Sequence, residues 1–316
     1  MILTVTPNPA LDLTWHAARL DPGATHRVEA GHGRAGGKGL NVARVLHQTG
    51  HEVLAVTTAG GSSGAEFRSE LERSGIPHRL VPVAAPTRRC VAIVDDSAGE
   101  ATIFNEHGDA PESDEARDLF DAAIALGADA DAVAFCGSLP RGLAPEPLVD
   151  AVARLVSAGV PTVVDTSGGT LLAAARAGAT VVKPNRDELA ETTGLADPVE
   201  GAHALLDAGA RIAVVSLGAD GLLVLDRDHR DRIVRARPPA LRGNATGAGD
   251  AAVAAVLAEL VADEPLDLAR LARRATAWSA SAVLMPFAGE LSPDRDDLAA
   301  RVEVTDDTDD TLESPR

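Results

Sequence analysis

Apolar segments of strand length alternate with amphipathic helical segments along most of this chain, and this alternation limits the folds that it can adopt. The predicted strands cover residues 2–6, 53–57, 132–136, 162–165, 180–183 and 212–216. The predicted helices cover residues 40–49, 65–74, 147–158, 186–193, 199–208, 251–262 and 268–284. Strands that are separated by helices favour a mostly parallel sheet with helices packed against it, so the sequence predicts an α/β fold.

Two segments, residues 11–32 and 87–105, break this alternation. Both have the pattern of short strands without intervening helices, and we expect them to pair as a small second sheet over one end of the main sheet. The sequence contains no internal repeat and no interdomain linker, so residues 1–316 are predicted to form one domain. Residues 303–316 are rich in Asp, Glu and Thr, and we expect a mobile acidic tail there.

Composition and charge argue against several functional classes. The net charge of −18 disfavours nucleic acid and anionic membrane surfaces as partners. The chain has no apolar run long enough to span a membrane, and residues 1–7 lack the features of a signal peptide. Two cysteines are too few for a disulfide framework, so we expect a cytoplasmic location.

A glycine-rich turn at residues 243–249 runs directly into an apolar helix. Gly247 and Gly249 have no Cβ, so a ligand can approach the main chain closely. The free N–H groups and the dipole of a helix start favour an anion such as a phosphate. Asp250 lies at the same point, where a carboxylate is either a base that takes a proton from an attacking hydroxyl or an acid that stabilises the helix start. This stretch alone does not decide between the two.

A second glycine-rich stretch, residues 31–41, has three interpretations. From Gly31 to Gly36 it matches the G-x-G-x-x-G pattern of dinucleotide-binding proteins, but the preceding segment is too polar for the buried strand that this motif requires. It is also close to a P-loop, although it lacks two residues of that motif. In the third interpretation the turn lets a sugar lie against the backbone, while Lys38 and Asn41 supply hydrogen-bond donors.

Other polar residues lie at predicted strand ends, each with two interpretations. Asp12 either accepts hydrogen bonds from sugar hydroxyls or serves as a turn acid, and Arg88 either binds an anion or stays solvated. Ser138 follows a buried strand, at the edge where ligands bind in open α/β sheets.

We interpret Cys90 and Cys136 as packed thiols rather than nucleophiles, because nothing in the sequence marks a nearby base. The nine histidines have no ligand spacing, so they predict no metal site.

Residues 183–189 follow another predicted strand. Asn185 can cap the next helix, and Glu188 lies three residues later, as in a capping box. Alternatively, both side chains face phosphates and hold the water molecules of a Mg²⁺ ion. The glycine turn at residues 216–221 follows the next strand and can border an adenine pocket.

Six short motifs occur in a fixed order: T-P-N-P-A-L-D at residues 6–12, G-G-K-G-L-N-V-A-R at 36–44, G-S-L-P at 137–140, K-P-N-R-D-E-L at 183–189, S-L-G-A at 216–219 and T-G-A-G-D at 246–250. In this combination the chain resembles the phosphofructokinase-B branch of the ribokinase-like sugar kinases, most closely the 1-phosphofructokinase and tagatose-6-phosphate kinase group. The resemblance runs from residue 1 to residue 288. It implies a three-layer α/β/α sandwich with a mostly parallel central sheet and a small β-sheet lid, formed here by residues 11–32 and 87–105.

The resemblance also implies roles for individual residues. Asp250 would be the catalytic base, with Gly247, Ala248 and Gly249 steadying the transferred phosphoryl group. The implied sugar-phosphate ligands are Asp12, Arg27, Gly36, Gly37, Lys38, Asn41, Arg88 and Ser138. The implied nucleotide-site residues are Lys183, Asn185, Ser216, Gly218, Gly221, Gly247 and Gly249, with Asn185 and Glu188 holding Mg²⁺ through water.

We therefore expect an ATP- and Mg²⁺-dependent kinase of a phosphorylated ketohexose, with fructose 1-phosphate as the first candidate and fructose 6-phosphate or tagatose 6-phosphate as close alternatives. Such a reaction needs charge neutralisation and in-line positioning more than covalent help from the protein. A regulator that binds a sugar phosphate or a nucleotide without turnover is the alternative from another class, and an NAD-dependent oxidoreductase is the third. Because small sheets are marginally stable alone, we also expect a homodimer through the lid, as in the relatives.

Overall fold

The main sheet contains ten of the fourteen strands seen in the computed structural model, which describes residues 1–307. In chain order the strands are β1 (Ile2–Thr6), β2 (Ala10–Ala17), β3 (His32–Gly36), β4 (Val53–Ala59), β5 (His78–Pro82), β6 (Arg88–Asp95), β7 (Glu100–Asn105), β8 (Ala132–Cys136), β9 (Thr162–Asp165), β10 (Val181–Val182), β11 (Ile212–Ser216), β12 (Leu222–Asp226), β13 (Ile233–Arg237) and β14 (Glu303–Asp307). The helices are α1 (Lys38–Gln48), α2 (Gly61–Ser74), α3 (Ser113–Gly127), α4 (Glu146–Ser157), α5 (Gly168–Arg176), α6 (Arg186–Thr193), α7 (Pro198–Ala208), α8 (Ala248–Leu260), α9 (Leu268–Val283) and α10 (Arg295–Arg301).

The main sheet is parallel over most of its width. Its strand order is β14-β13-β12-β11-β10-β9-β8-β1-β4-β5. The strands from β5 to β11 pair in parallel, whereas β12, β13 and β14 add an antiparallel margin. The parallel strands bring their carboxyl ends to one edge, where most of the polar residues singled out in the sequence occur.

Helices cover both faces of this sheet. Neighbouring residues of a strand point to opposite faces, so Val163 joins the core beneath α1, α2, α8 and α9, whereas Val164 joins the core beneath the helices from α3 to α7. Strands that are buried on both faces have continuous apolar sequences, and for this reason the sequence predicted them. The predicted three-layer α/β/α arrangement is confirmed.

The other four strands form a small separate sheet, the lid sheet, in the order β3-β2-β6-β7. Strands β2 and β6 run parallel, and β3 and β7 pair antiparallel on the two outer sides. Residues 7–9 join β1 to β2, and the single residue Gly37 joins β3 to α1. The expected second sheet is therefore present, although residues 18–31 of the first predicted segment contain no strand.

Several elements were not predicted from the sequence. They are α3, α5, α10, β5, β12, β13 and β14. The predicted tail also differs from the structure, because Glu303–Asp307 forms the edge strand β14 against β13. Its acidic side chains pair with arginines, as Asp306 does with Arg232 at 2.6 Å, so charge pairing accompanies an edge strand that has no apolar run. The remainder of the predicted tail, residues 308–316, lies outside the described residues.

Within residues 1–307, no helix combines the length and the apolar character needed to cross a membrane.

The buried carboxylate of Glu259 joins α8 to α9. The Glu259 side chain on α8 is fully buried, and its two oxygens lie 2.7 Å from Arg270 Nε and 2.8 Å from Arg274 Nε, both on α9. A carboxylate inside a protein loses its hydration, so the two guanidinium groups compensate for that loss. The pairs thereby fix α9 against α8.

Replacing Arg270 and Arg274 together by alanine should lower the free energy of unfolding by about 3–5 kcal/mol, because Glu259 would be left as a buried charge without a partner. Urea denaturation followed by circular dichroism measures this loss. Arg154→Ala is the control, since its ion pair with Asp150 is exposed and should contribute about 1 kcal/mol or less. Equal losses in the two variants would contradict the assigned role of Glu259.

Candidate active site

The starts of α1 and α8 meet at the carboxyl edge of the main sheet. Their contact is a buried hydrogen bond in which Asn41 Nδ2 donates to Asp250 Oδ2 at 2.8 Å. Asp165 ends β9 and Lys183 follows β10, so both reach the same edge. Ligands of open α/β sheets bind at this edge, which makes it the candidate active site.

The turn before α8 has a conformation that only glycine accommodates. Gly247 precedes the helix with a φ of 84°, and a Cβ at this position would lie 2.7 Å from Ala288. Ala248 and Gly249 are the first helical residues, so their N–H groups belong to the first turn, which lacks intrahelical partners. The turn therefore has the geometry of an anion-binding helix start, as the sequence predicted.

Asp250 is the buried carboxylate of this first turn. Its pKa is raised to about 6, because burial and the nearby Asp165 carboxylate raise it more than the hydrogen bond from Asn41 and the charges of Lys38 and Lys183 lower it. A carboxylate with this pKa is deprotonated at neutral pH but is more basic than an exposed aspartate. Its surroundings thus suit proton abstraction better than helix capping alone.

Asp165 is a residue of this site that the sequence analysis missed. Its side chain is buried, and Oδ1 lies 3.4 Å from Lys38 Nζ and 3.5 Å from Lys183 Nζ. Its second oxygen has no hydrogen-bond partner among the described residues. A signal was available, because the predicted strand at residues 162–165 ends in an acid at the carboxyl edge.

Lys38 lies among carboxylates rather than beside Arg88. Its ammonium is 3.6 Å from Glu188 Oε1 as well as 3.4 Å from Asp165, and its side chain is 39% exposed. Burial alone would lower the Lys38 pKa, but Asp165, Glu188 and Asp250 together raise it above its usual range. Lys38 thus points toward Asp165 and the start of α6, and its contact with the sugar phosphate stays a prediction.

The capping box predicted at the start of α6 is present. Asn185 Oδ1 accepts from Glu188 N at 2.8 Å, and Asn185 N donates to Glu188 Oε2 at 2.9 Å. The other Glu188 oxygen is the one that faces Lys38, so capping does not remove Glu188 from the site. Residues 1–307 contain no group of three or more His, Cys, Asp and Glu that could hold a metal ion by themselves.

A cavity of about 420 Å³ opens between the lid sheet and the loop after β8. It is lined by Asn8, Arg88, Asn105, Glu106, His107, Ser138, Leu139 and Arg141. Asn8 Nδ2 donates to Ser138 Oγ at 3.2 Å and to the His107 carbonyl at 3.1 Å, which ties the loop after β1 to the loop after β8. Two arginines and several neutral donors make this cavity suited to an anion with hydroxyl groups.

Asp12 lies on β2, close to the end of β3. A Cβ on Gly36 would overlap the Asp12 carboxylate, so the carboxylate needs a glycine there. The Asp12 pKa is raised to about 6, because burial raises it more than Arg88, the Cys90 thiol and two further arginines lower it. Asp12 and Arg88 are thus brought together on adjacent lid strands, as expected for residues that share a ligand.

The predicted nucleotide-site residues lie along the carboxyl ends of β10 and β11. Lys183 is buried beneath the start of α8, where its Nζ would be 3.5 Å from a Cβ on Gly249. Ser216 N donates to the Pro184 carbonyl at 3.0 Å, while Gly218 and Gly221 bound a short 3₁₀ turn. Lys183 therefore faces the start of α8 and Asp165.

The predicted role of Arg27 as a substrate ligand stays a prediction. Arg27 is exposed in the segment between β2 and β3, and it makes no hydrogen bond or ion pair with the described residues. The structure also excludes the dinucleotide and P-loop interpretations of residues 31–41, because Gly33 and Gly36 lie within β3 of the lid sheet. Both motifs require their glycines in a turn between a buried strand and a helix.

Comparison with known proteins agrees with this geometry. The family described as "pfkB family carbohydrate kinase" matches residues 8–295. A 1-phosphofructokinase of Xanthomonas campestris pv. campestris is 36% identical over 312 residues, which cover 95% of this chain and 97% of that protein.

Solved structures agree in fold. Phosphofructokinase-2 from Escherichia coli in complex with fructose-6-phosphate has a TM-score of 0.84 and 29% identity, covering 95% of this chain and 98% of that one. Arabidopsis thaliana ribokinase complexed with ribose and ATP has a TM-score of 0.72 at 20% identity, covering 95% and 97%, and shows the fold alone. The predicted ribokinase-like fold is confirmed. Because the family match spans most of the chain, this protein belongs to the pfkB family of carbohydrate kinases and is a phosphotransferase with an alcohol acceptor.

Proposed function

We propose that this kinase transfers the γ-phosphoryl group of ATP to the 6-hydroxyl of fructose 1-phosphate and forms fructose 1,6-bisphosphate. The observation that carries the proposal is the position of Asp250, a buried carboxylate at an anion-binding helix start on the same sheet edge as an arginine-lined cavity. The name of the Xanthomonas relative, 1-phosphofructokinase, supports this choice of substrate.

Asp250 acts as the general base. It accepts the proton of the sugar hydroxyl as the oxygen attacks the phosphoryl group, and its pKa of about 6 leaves it deprotonated at neutral pH. Asn41 holds one carboxylate oxygen by its 2.8 Å hydrogen bond, which fixes the direction of the other. The base is therefore oriented before the substrate arrives.

The negative charge of the transferred group meets two sets of fixed donors. The N–H groups of Gly247, Ala248 and Gly249 lie in the first turn of α8, where the helix dipole adds a partial positive charge. Lys38, held near Asp165 and Glu188, supplies an ammonium whose raised pKa keeps it charged. Such neutralisation is the main requirement of phosphoryl transfer.

The donor set also fits a Mg²⁺ ion. This ion prefers one or two carboxylates together with water and substrate phosphates, and the oxygen of Asp165 that lacks a partner offers one such ligand. Glu188, backed by Asn185, would hold the ion through water with Asp165 nearby. When bound, the ion would neutralise the phosphate oxygens of ATP.

The sugar phosphate would occupy the cavity under the lid sheet. Arg88 binds its phosphate, with Arg141 as a second cation at the cavity wall, and Ser138 donates to it. Asp12 accepts hydrogen bonds from sugar hydroxyls. Lys183, Ser216, Gly218 and Gly221 border the nucleotide, and Arg27 remains a proposed anion ligand.

Two alternatives remain within the kinase class, fructose 6-phosphate and tagatose 6-phosphate. The Escherichia coli structure with fructose-6-phosphate supports the first of these. A regulator without turnover is disfavoured by the basic and oriented Asp250 carboxylate. A cytoplasmic location is part of the proposal.

We expect Asp250→Asn to lose at least about 10²-fold in kcat while it retains the affinity for the sugar phosphate, because only the base function is removed. Steady-state kinetics on fructose 1-phosphate, together with calorimetric titration of the same sugar, separates the two effects. Asp263→Asn, the same change at an exposed aspartate just beyond the end of α8, is the control. If Asp250→Asn is folded and keeps near-normal kcat, another group is the base.

We expect the wild-type enzyme to use fructose 1-phosphate at least about 10²-fold better than free fructose in kcat/KM, a difference of about 2.7 kcal/mol that charge-assisted contacts can supply. Arg88→Ala should remove much of this preference, chiefly by raising KM for the phosphorylated sugar. Arg89→Ala is the control, since successive side chains of β6 point to opposite faces of the lid sheet. Equal use of both sugars by the wild type would point to a neutral-sugar kinase.

We also propose that the lid sheet joins two copies of the chain. Strand β7 pairs only with β6 among the described strands, and its Ile103 and Phe104 are 49% and 60% exposed. Large apolar side chains on an open edge strand are unfavourable in a monomer. A second lid sheet would cover them.

Light scattering at micromolar concentration should therefore give the mass of a dimer, and Ile103→Lys with Phe104→Lys should give that of a monomer, because two charges cannot be buried in an apolar interface. Leu266→Lys, at an exposed leucine outside the lid sheet, is the control and should remain dimeric. A fully active wild-type monomer would rule out the lid interface.

A further inference from the structure

Cys90 lies between the two residues that are proposed to contact the sugar phosphate. In the register of the lid sheet it is opposite Asp12 on β2, and it is two residues from Arg88 on β6. Residues two apart on a strand share a face, so the side chains of Arg88 and Cys90 lie on the same face of the sheet. The sequence alone gave Cys90 only the interpretation of a packed thiol.

The contacts of Cys90 are polar. Arg88 Nη1 donates a hydrogen bond to Cys90 Sγ at 3.1 Å. The same guanidinium donates to the Glu106 carbonyl at 3.1 Å and to the Asn8 carbonyl at 3.3 Å. Among the described residues, Cys90 is thus the one side chain that holds this guanidinium, and backbone carbonyls provide its other contacts.

The thiol can bridge the cation and the carboxylate. Burial raises the Cys90 pKa to about 11, so the thiol remains protonated at neutral pH. Asp12 is opposite Cys90 in the register of the lid sheet, so the S–H is available to the Asp12 carboxylate, while the sulfur accepts from Arg88. A protonated thiol is a poor nucleophile, so this geometry indicates a positioning role and not covalent chemistry.

Cys136, the second cysteine, is an example of a packed thiol in this chain. Cys136 ends β8, is buried and belongs to the hydrophobic core beneath α1 and α8. Cys90 is only half-buried and belongs to neither hydrophobic core of the described residues. The two thiols therefore have different surroundings.

We propose that Cys90 is a positioning residue of the sugar-phosphate site: its thiol fixes the Arg88 guanidinium and the Asp12 carboxylate in the orientation that the phosphorylated sugar requires. This inference rests on the proposed function, since it assigns Cys90 to the same substrate. Cys90 thereby sets the affinity for the acceptor sugar and does not touch the transferred phosphoryl group.

The consequence is a change in KM without a matching change in kcat. Losing the thiol releases one hydrogen bond of Arg88 and removes the polar neighbour opposite Asp12, so both residues would have to be ordered by the substrate itself. Asp250 and the start of α8 lie in the main fold and keep their geometry. Loss of the thiol should therefore weaken sugar-phosphate binding and leave the chemical step unchanged.

Two variants separate hydrogen bonding from packing. Cys90→Ser keeps a donor and an acceptor, whereas Cys90→Val keeps a similar volume without either. We expect Cys90→Val to raise KM for fructose 1-phosphate about 10-fold, the scale of a lost hydrogen bond to a charged group, with kcat changed by less than about 2-fold. Cys90→Ser should stay within about 3-fold of the wild-type KM. If packing alone matters, the order of the two variants reverses and the proposal is overturned.

A double-mutant cycle tests whether Cys90 acts through Arg88. In an Arg88→Ala background, Cys90→Val should change the affinity for fructose 1-phosphate by less than about 2-fold, because the guanidinium that it orients is absent. Affinity is measured by calorimetric titration without ATP, so the result does not depend on turnover. The same 10-fold loss in both backgrounds would mean a general effect on the lid sheet and would overturn the proposal.

Measurements on the wild type distinguish a failure of the proposed kinase function from a failure of the role assigned to Cys90. A wild type that neither binds nor phosphorylates any of the three ketohexose phosphates contradicts the proposed function, and the role of Cys90 is overturned with it. A wild type that binds and phosphorylates fructose 1-phosphate, with Cys90→Val indistinguishable from it, overturns the role of Cys90 alone.

Discussion

The buried carboxylate of Asp165 is the interaction on which the rest of the site depends. It lies inside the protein at the end of β9 and is paired with Lys38 and Lys183, the only two lysines of the sequence. Removing either ammonium would leave charge that the interior cannot solvate. The pairs therefore hold the start of α1 and the end of β10 against β9. A compact ammonium suits this position, since a planar guanidinium would need more room and a bidentate partner.

The same cluster sets the chemistry of Asp250. Asp165 and burial raise the Asp250 pKa, while the two lysines and Asn41 limit the increase, and the result is about 6. A lower pKa would make the carboxylate a weaker base, and a higher one would leave it protonated at neutral pH. The balance of nearby charges therefore gives Asp250 the pKa that its proposed role as general base requires. The helix start beside it contributes the N–H groups that a transferred phosphoryl group needs.

The lid sheet separates recognition from this chemistry. Asp12, Arg88 and Cys90 lie on lid strands, whereas Asp165 and Asp250 belong to the main sheet and the helix packed against it. The short connections at residues 7–9 and Gly37 join the two parts. We infer that changes on the lid strands alter which sugar binds while the phosphoryl-transfer groups keep their geometry. The exposed β7 edge of the same sheet is the surface that we propose to pair with a second copy of the chain.

The sequence by itself determined the parallel main sheet, because strands buried on both faces are continuous apolar runs, and its glycine turn before α8 placed Asp250 at an anion-binding helix start. It did not reveal the polar edge strand β14, which has no apolar run and pairs its acids with arginines of β13 and the segment before it. Nor could it place charges: Lys38 is 127 residues from Asp165 in the chain, and only folding brings them within 3.4 Å. The tertiary structure alone also decided that Lys38 faces Asp165 and Glu188, and that Cys90 Sγ accepts from Arg88 on the same strand, because these contacts depend on side-chain direction in three dimensions.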